Sequence, residues 1–95
     1  MPVQATSIIA LESILSEIST RQKQVLLTFK LINKPANNLM ISKVLGLPIN
    51  SITPRCQELR KKGLIIFHHT SACPFTGRAS NFYIIKNWIR EILTC

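Results

Sequence analysis

The chain has 95 residues, the size of one small domain with a single modest core. At 46% hydrophobic and 17% charged residues it is too apolar for a disordered chain, yet no stretch approaches the roughly 18 apolar residues of a membrane span. Twelve Lys and Arg against four Asp and Glu give a net charge of +8. The opening MPVQATSIIA lacks a basic start followed by an apolar run, so no secretory signal is expected and the cytoplasm is the expected compartment.

From Thr6 to Ile18, the residues Ile8, Leu11, Ile14, Leu15 and Ile18 cluster on one side at 100° per residue, which predicts an amphipathic helix capped by Thr6 or Ser7. A second helix is expected from Ser19, where Ser19-Thr20-Arg21-Gln22 fits a capping box. Val25, Phe29 and Ile32, with Leu26 at the edge, form its core face, while Leu27 and Leu31 make a second apolar strip on the opposite side. Two greasy sides call for two partners, the core on one and the N-terminal helix on the other. Asn33-Lys34-Pro35 ends this helix, because proline disfavours helical geometry in the residue before it.

Asn37 or Asn38 is expected to cap a short helix through Leu45 with Ile41, Val44 and Leu45 inward and the small Ser42 allowing a crossing helix close. Gly46 is placed for the left-handed residue that closes a helix. Leu47-Pro48-Ile49 reads as a tight turn, after which Asn50 or Ser51 caps a helix of about three turns ending at Gly63. Ile52, Cys56 and Leu59 are its inner face; Asn50, Thr53, Pro54, Gln57, Glu58 and Lys61 lie outward, with Arg55 and Lys62 on one flank and Arg60 on the other. Pro54 falls at or just past the last position that needs no backbone donor, so the first turn is irregular or the regular helix begins near Thr53. Leu64–His69 reads as a strand, 70–78 as a loop, and Ala79–Ile85 as the return strand of a hairpin. Trp88, Ile89, Ile92 and Leu93 mark the apolar side of a C-terminal helix.

Every Lys and Arg except Arg90 falls between Ser19 and Lys86, where Glu58 is the single acid. A basic middle on a compact fold is the electrostatic footprint of a nucleic-acid binder, with general solubility or attraction to acidic lipids as the plainer alternatives. Cys56, Cys73 and Cys95, odd in number and unpaired in spacing, argue against a disulfide framework. His68, His69 and Cys73 are close in sequence, but zinc sites usually draw on two tight ligand pairs, and adjacent histidines on a strand point to opposite faces. No metal or cofactor is therefore expected. Nor is an enzyme: there is no phosphate-binding glycine loop, no acid pair and no aspartate.

Three stretches, ISKVLGLPINSIT, CQELRKKGLI and TGRASNFYII, together with the order of elements, resemble the winged helix-turn-helix family of DNA-binding proteins from about Ser19 to Lys86. Among its members the chain looks most like the small regulators common in bacteriophages and prophages. The resemblance implies a mainly α fold with a small β-hairpin wing: one domain over residues 1–95, with an N-terminal helix at 6–18, a winged-helix core at 19–86 and a C-terminal helix at 87–95. It also implies a recognition helix at about 51–62 in the major groove of double-stranded DNA. On that reading Asn50, Ser51, Thr53 and Arg55 meet base edges, where Arg pairs with guanine and Asn with adenine. Gln57 and Lys61 lie further along, Lys43, Arg60 and Lys62 suit phosphates, and Arg78 at the wing reaches a minor groove or phosphate.

The plainer readings are that Arg55 covers core-edge surface with its stem and that Arg60-Lys61-Lys62 is a solvated helix end. The expected function is a sequence-specific transcriptional regulator, paired with a second copy through its terminal helices. The alternatives are a protein-interaction module on the same fold, such as a phage-encoded inhibitor of a host complex with Cys73, Pro74 and Phe75 as contact patch, and structural RNA binding.

Overall fold

A computed structural model describes residues 5–87 and residue 89. Four helices, α1 (Ala5–Glu17), α2 (Thr20–Ile32), α3 (Asn38–Leu45) and α4 (Ile49–Lys61), precede an antiparallel hairpin of β1 (Ile65–Ala72) and β2 (Ala79–Ile85). The expected C-terminal helix falls almost wholly outside the described residues, although Ile89 is buried in the core.

Local chemistry sets most of the boundaries. The Ser19 capping box forms in both directions: the Gln22 amide donates to Ser19 Oγ (3.1 Å) and the Ser19 amide to Gln22 Oε1 (2.7 Å). Asn33 closes α2 in the left-handed region at φ 55°, where asparagine is among the few tolerated side chains. Asn37 caps α3 by accepting from the Met40 amide (2.9 Å), and Gly46 closes it at φ 68° with its amide on the Ser42 carbonyl (2.9 Å). The Ser42 hydroxyl donates to the Leu47 carbonyl, so the turn between α3 and α4 is fastened from within.

The start of α4 departs from expectation. The helix begins at Ile49, and Pro48, not Asn50 or Ser51, occupies the cap position at φ −60° and ψ 145° without a side-chain cap bond. The Ser51 amide bonds the Pro48 carbonyl (2.9 Å), which starts the helix two to three residues early. Pro54 consequently stands inside the helix. With no N–H to offer, its ring denies the Asn50 carbonyl its ladder partner.

The hairpin pairs Ile65 with Ile85 and Ala72 with Ala79, so β1 extends three residues beyond the expected strand and the loop shrinks to residues 73–78. Thr70 Oγ1 donates to Asn81 Oδ1 across this added part (3.0 Å). A bulge between Phe67 and His69 breaks the two-residue alternation, and the rings of His68 and His69 meet instead of pointing apart. Ala36 adds a one-residue third strand, exchanging 2.9 Å bonds in both directions with Tyr83. That bridge ties the α2–α3 connection to β2.

The core draws on every element: Leu11 and Ile18 near α1, Val25, Leu26 and Phe29 from α2, Ile41 from α3, Ile52, Cys56 and Leu59 from α4, and Leu64, Ile65, Tyr83 and Ile85 about the hairpin. Two expectations fail here. Leu27 and Leu31 are 47% and 77% exposed, because α1 joins the same core as the first face of α2 and leaves the second strip bare. Val44 is 61% exposed, because Ile41 and Ser42 take the buried face of α3, with Met40 and Leu45 packed partly against the core.

Candidate nucleic-acid interface

Helix α4 is held on three sides. Ile52, Cys56 and Leu59 are buried beneath it, which fixes its rotation about its own axis. Burial pushes the Cys56 thiol up to about 12, so it sits in the core as a neutral apolar group. The fixed rotation leaves Asn50, Gln57 and Lys61 exposed along the outward face, and none of the three side chains hydrogen-bonds another described residue.

The flank toward α2 carries Arg55, with Ser51 and Pro54 half-buried nearby and Lys62 exposed at the end. Arg55 grips Glu58 with two bonds, Nε to Oε1 at 2.7 Å and Nη2 to Oε2 at 3.0 Å. Gln22 Nε2 of α2 donates to the same carboxylate (2.7 Å). The Arg55 bonds first, then the Gln22 bond, hold the Glu58 carboxyl below its usual range. Arg55 is 33% and Glu58 41% exposed on their side chains. Water screens the pair, and it contributes below about 1 kcal/mol. Its larger effect is to orient Arg55 and to seat α4 on α2.

The opposite flank faces β2. There Arg60 Nη1 donates to Tyr83 Oη (2.6 Å), and the guanidinium carbon stands 5.2 Å from the centre of the Tyr83 ring. Tyr83 is itself fixed by the Ala36 bridge and by an edge-on contact with Phe67. The exposed Thr53 opens onto a cleft of about 340 Å³ shared with Asn38, Leu39, Ile49, Ser80, Asn81 and Tyr83. Gln57 and Arg60 rim an adjoining one of about 320 Å³. Asn38 Oδ1 is buried at this place without a hydrogen-bond partner.

Lys43 and the wing loop complete the basic surface. Lys43 Nζ lies 5.5 Å from the centre of the Phe75 ring, bringing the last turn of α3 next to the loop that ends in the exposed Arg78. Cys73 anchors that loop. Its thiol is lowered to about 7, first by the Phe75 amide, then by the Asn37 side chain and by Thr76. Lys61 and Lys62 extend from the far end of α4. Sequence reasoning missed Tyr83, Asn38, Ser80 and Asn81. Their only signal was membership of a strand or a cap, whereas their roles depend on the Ala36–Tyr83 pairing.

No family model matches the chain, and no curated protein matches it significantly. Two solved structures share its fold. One is a MarR family transcription regulator, SP03579, at 21% identity and TM-score 0.62, covering 85% of this chain and 50% of the other. The fold is a winged helix-turn-helix. The second is a single-site mutant of Lactococcus lactis ZitR, at 17% identity and TM-score 0.55, covering 82% of this chain and 52% of ZitR. The winged helix therefore spans about half the length of each of these proteins. Among the described residues no helix is long and apolar enough to cross a membrane.

Proposed function

We propose that this winged helix binds double-stranded DNA sequence-specifically as a transcriptional regulator, with α4 in the major groove. The observation that carries the reading is the outward face of α4, where the side chains of Asn50, Gln57 and Lys61 are exposed and make no hydrogen bond to another described residue, on a rotation fixed by the core. The net charge of +8 and the similarity of fold to a protein described as a transcription regulator support it. B-form DNA admits one α-helix in its major groove, and asparagine and glutamine both match adenine there. Asn50, Ser51, Thr53 and Gln57 are the base readers in this account. Arg55 reaches a guanine or phosphate at the groove edge by giving up its Glu58 partner. Lys43, Arg60, Lys61, Lys62 and Arg78 take phosphates, which fix affinity and register without reading sequence. The likeness to small bacteriophage and prophage regulators rests on the sequence stretches alone.

A second copy of the chain paired through its terminal helices would present two such helices to two half-sites. The competing reading is a host protein partner docking on the hairpin, favoured by the exposed Ile66, Phe67 and Phe75. Selection from random duplex DNA at two salt concentrations separates them. A regulator enriches a defined sequence and loses affinity by a slope of about 0.9 per phosphate covered. No enriched sequence, together with unchanged binding by Asn50→Ala and Arg55→Ala, overturns the DNA reading.

A further inference from the structure

We propose that His68 and His69 form a two-nitrogen chelate on the wing for a divalent late transition metal, Cu²⁺ and Ni²⁺ ahead of Zn²⁺. On a regular strand adjacent side chains diverge, and a neighbouring pair of histidines could never share a ligand. The bulge between Phe67 and His69 removes that constraint. It brings the two Nδ1 atoms to 2.7 Å, where one donates a hydrogen bond to the other, with ring centres 4.9 Å apart and ring planes at 78°. His69 is held in place by parallel stacking on Phe82, with centres 4.9 Å apart and planes 8° apart. His68 is exposed, so its ring can turn to give up the hydrogen bond to His69, and a cation that displaces the shared proton is met by both Nδ1 atoms.

Affinity for nitrogen ligands rises through Ni²⁺ to Cu²⁺ and falls again at Zn²⁺, and imidazole suits all three ions. No group of three His, Cys, Asp or Glu able to hold a metal occurs among the described residues, so water completes the coordination. The positive charge of the protein opposes any cation, which again favours the ion with the strongest nitrogen affinity. The site lies on β1, apart from α4, and does not depend on the DNA reading.

The test titrates the full chain at neutral pH with Cu²⁺ or Ni²⁺ alone, following amide NMR signals for paramagnetic broadening and the Cu²⁺ electron paramagnetic resonance spectrum for coupling to two nitrogens. One equivalent should broaden signals about residues 66–70 and 81–83 first, with Zn²⁺ competing poorly. His68→Ala, and His69→Phe, which keeps the aromatic stack on Phe82, should each weaken binding at least ten-fold while circular dichroism stays native. Broadening centred on the amino terminus or Cys73, or equal affinity in His68→Ala and His69→Phe to that of the unaltered chain, overturns the proposal.

Discussion

At the scale of single residues, the first turn and outward face of α4 carry the expected specificity. Asn50→Ala should cost about 1–3 kcal/mol of discrimination at one base pair, read as relaxed preference at that position in a duplex selection. Lys61→Ala should weaken all sequences alike and lower the salt slope by about one. Tyr83→Phe tests whether Arg60 is preorganised. It keeps the ring under the guanidinium and against Phe67, but removes the bond to Arg60 Nη1. Duplex affinity should fall by about 0.5–1 kcal/mol, with the melting temperature nearly unchanged. An effect on melting equal to that on binding would make the tyrosine structural only. The cysteines separate by environment: Cys73 is lowered to about 7 from its ordinary 9.0, and Cys56 raised to about 12. Stability linked to the Cys73 thiolate is full above the ordinary value and is lost as pH falls through about 7; that linked to neutral Cys56 is full below 9 and is lost as pH rises toward 12. Timed iodoacetamide labelling of the native protein at pH 8 should therefore modify Cys73 before Cys56.

At the scale of elements, α4 departs furthest from its local signals. Its sequence offers two good caps, Asn50 and Ser51, and the structure uses neither, because Pro48 is already set for the cap backbone and its carbonyl takes the Ser51 amide. Pro54 is then left in the interior. A proline there costs up to about 3 kcal/mol against alanine, offset in part by the stiffer unfolded chain. Pro54→Ala should raise stability by about 1–2 kcal/mol, measured as a higher urea midpoint at constant slope. An unchanged or lower midpoint would show that the helix has relaxed around the ring. The hairpin shows the converse case, in which one bulge reverses the expectation from alternation at His68 and His69.

At the scale of the whole molecule, the exposed strip of Leu27 and Leu31 and the N-terminal helix bear on assembly. Light scattering at micromolar concentration should give a two-chain mass; a one-chain mass removes the proposed dimer. The order of elements, the capping box, Gly46 and the inner face of α4 were legible in the sequence, because caps, left-handed residues and helical periodicity are local properties of a few neighbouring side chains. The extent of β1 and the first turn of α4 were only partly legible. The candidate site was legible as a set of outward and basic residues on one segment. The rest was decided by contacts between distant segments: Gln22 with Glu58, Arg60 with Tyr83, Ala36 with Tyr83, and Lys43 with Phe75. Sequence alone determined the inner face of α4 and which of its polar and basic residues turn away from it. The tertiary structure decided which of them are engaged and which remain available, because a hydrogen-bond partner is set by packing in space rather than by distance along the chain.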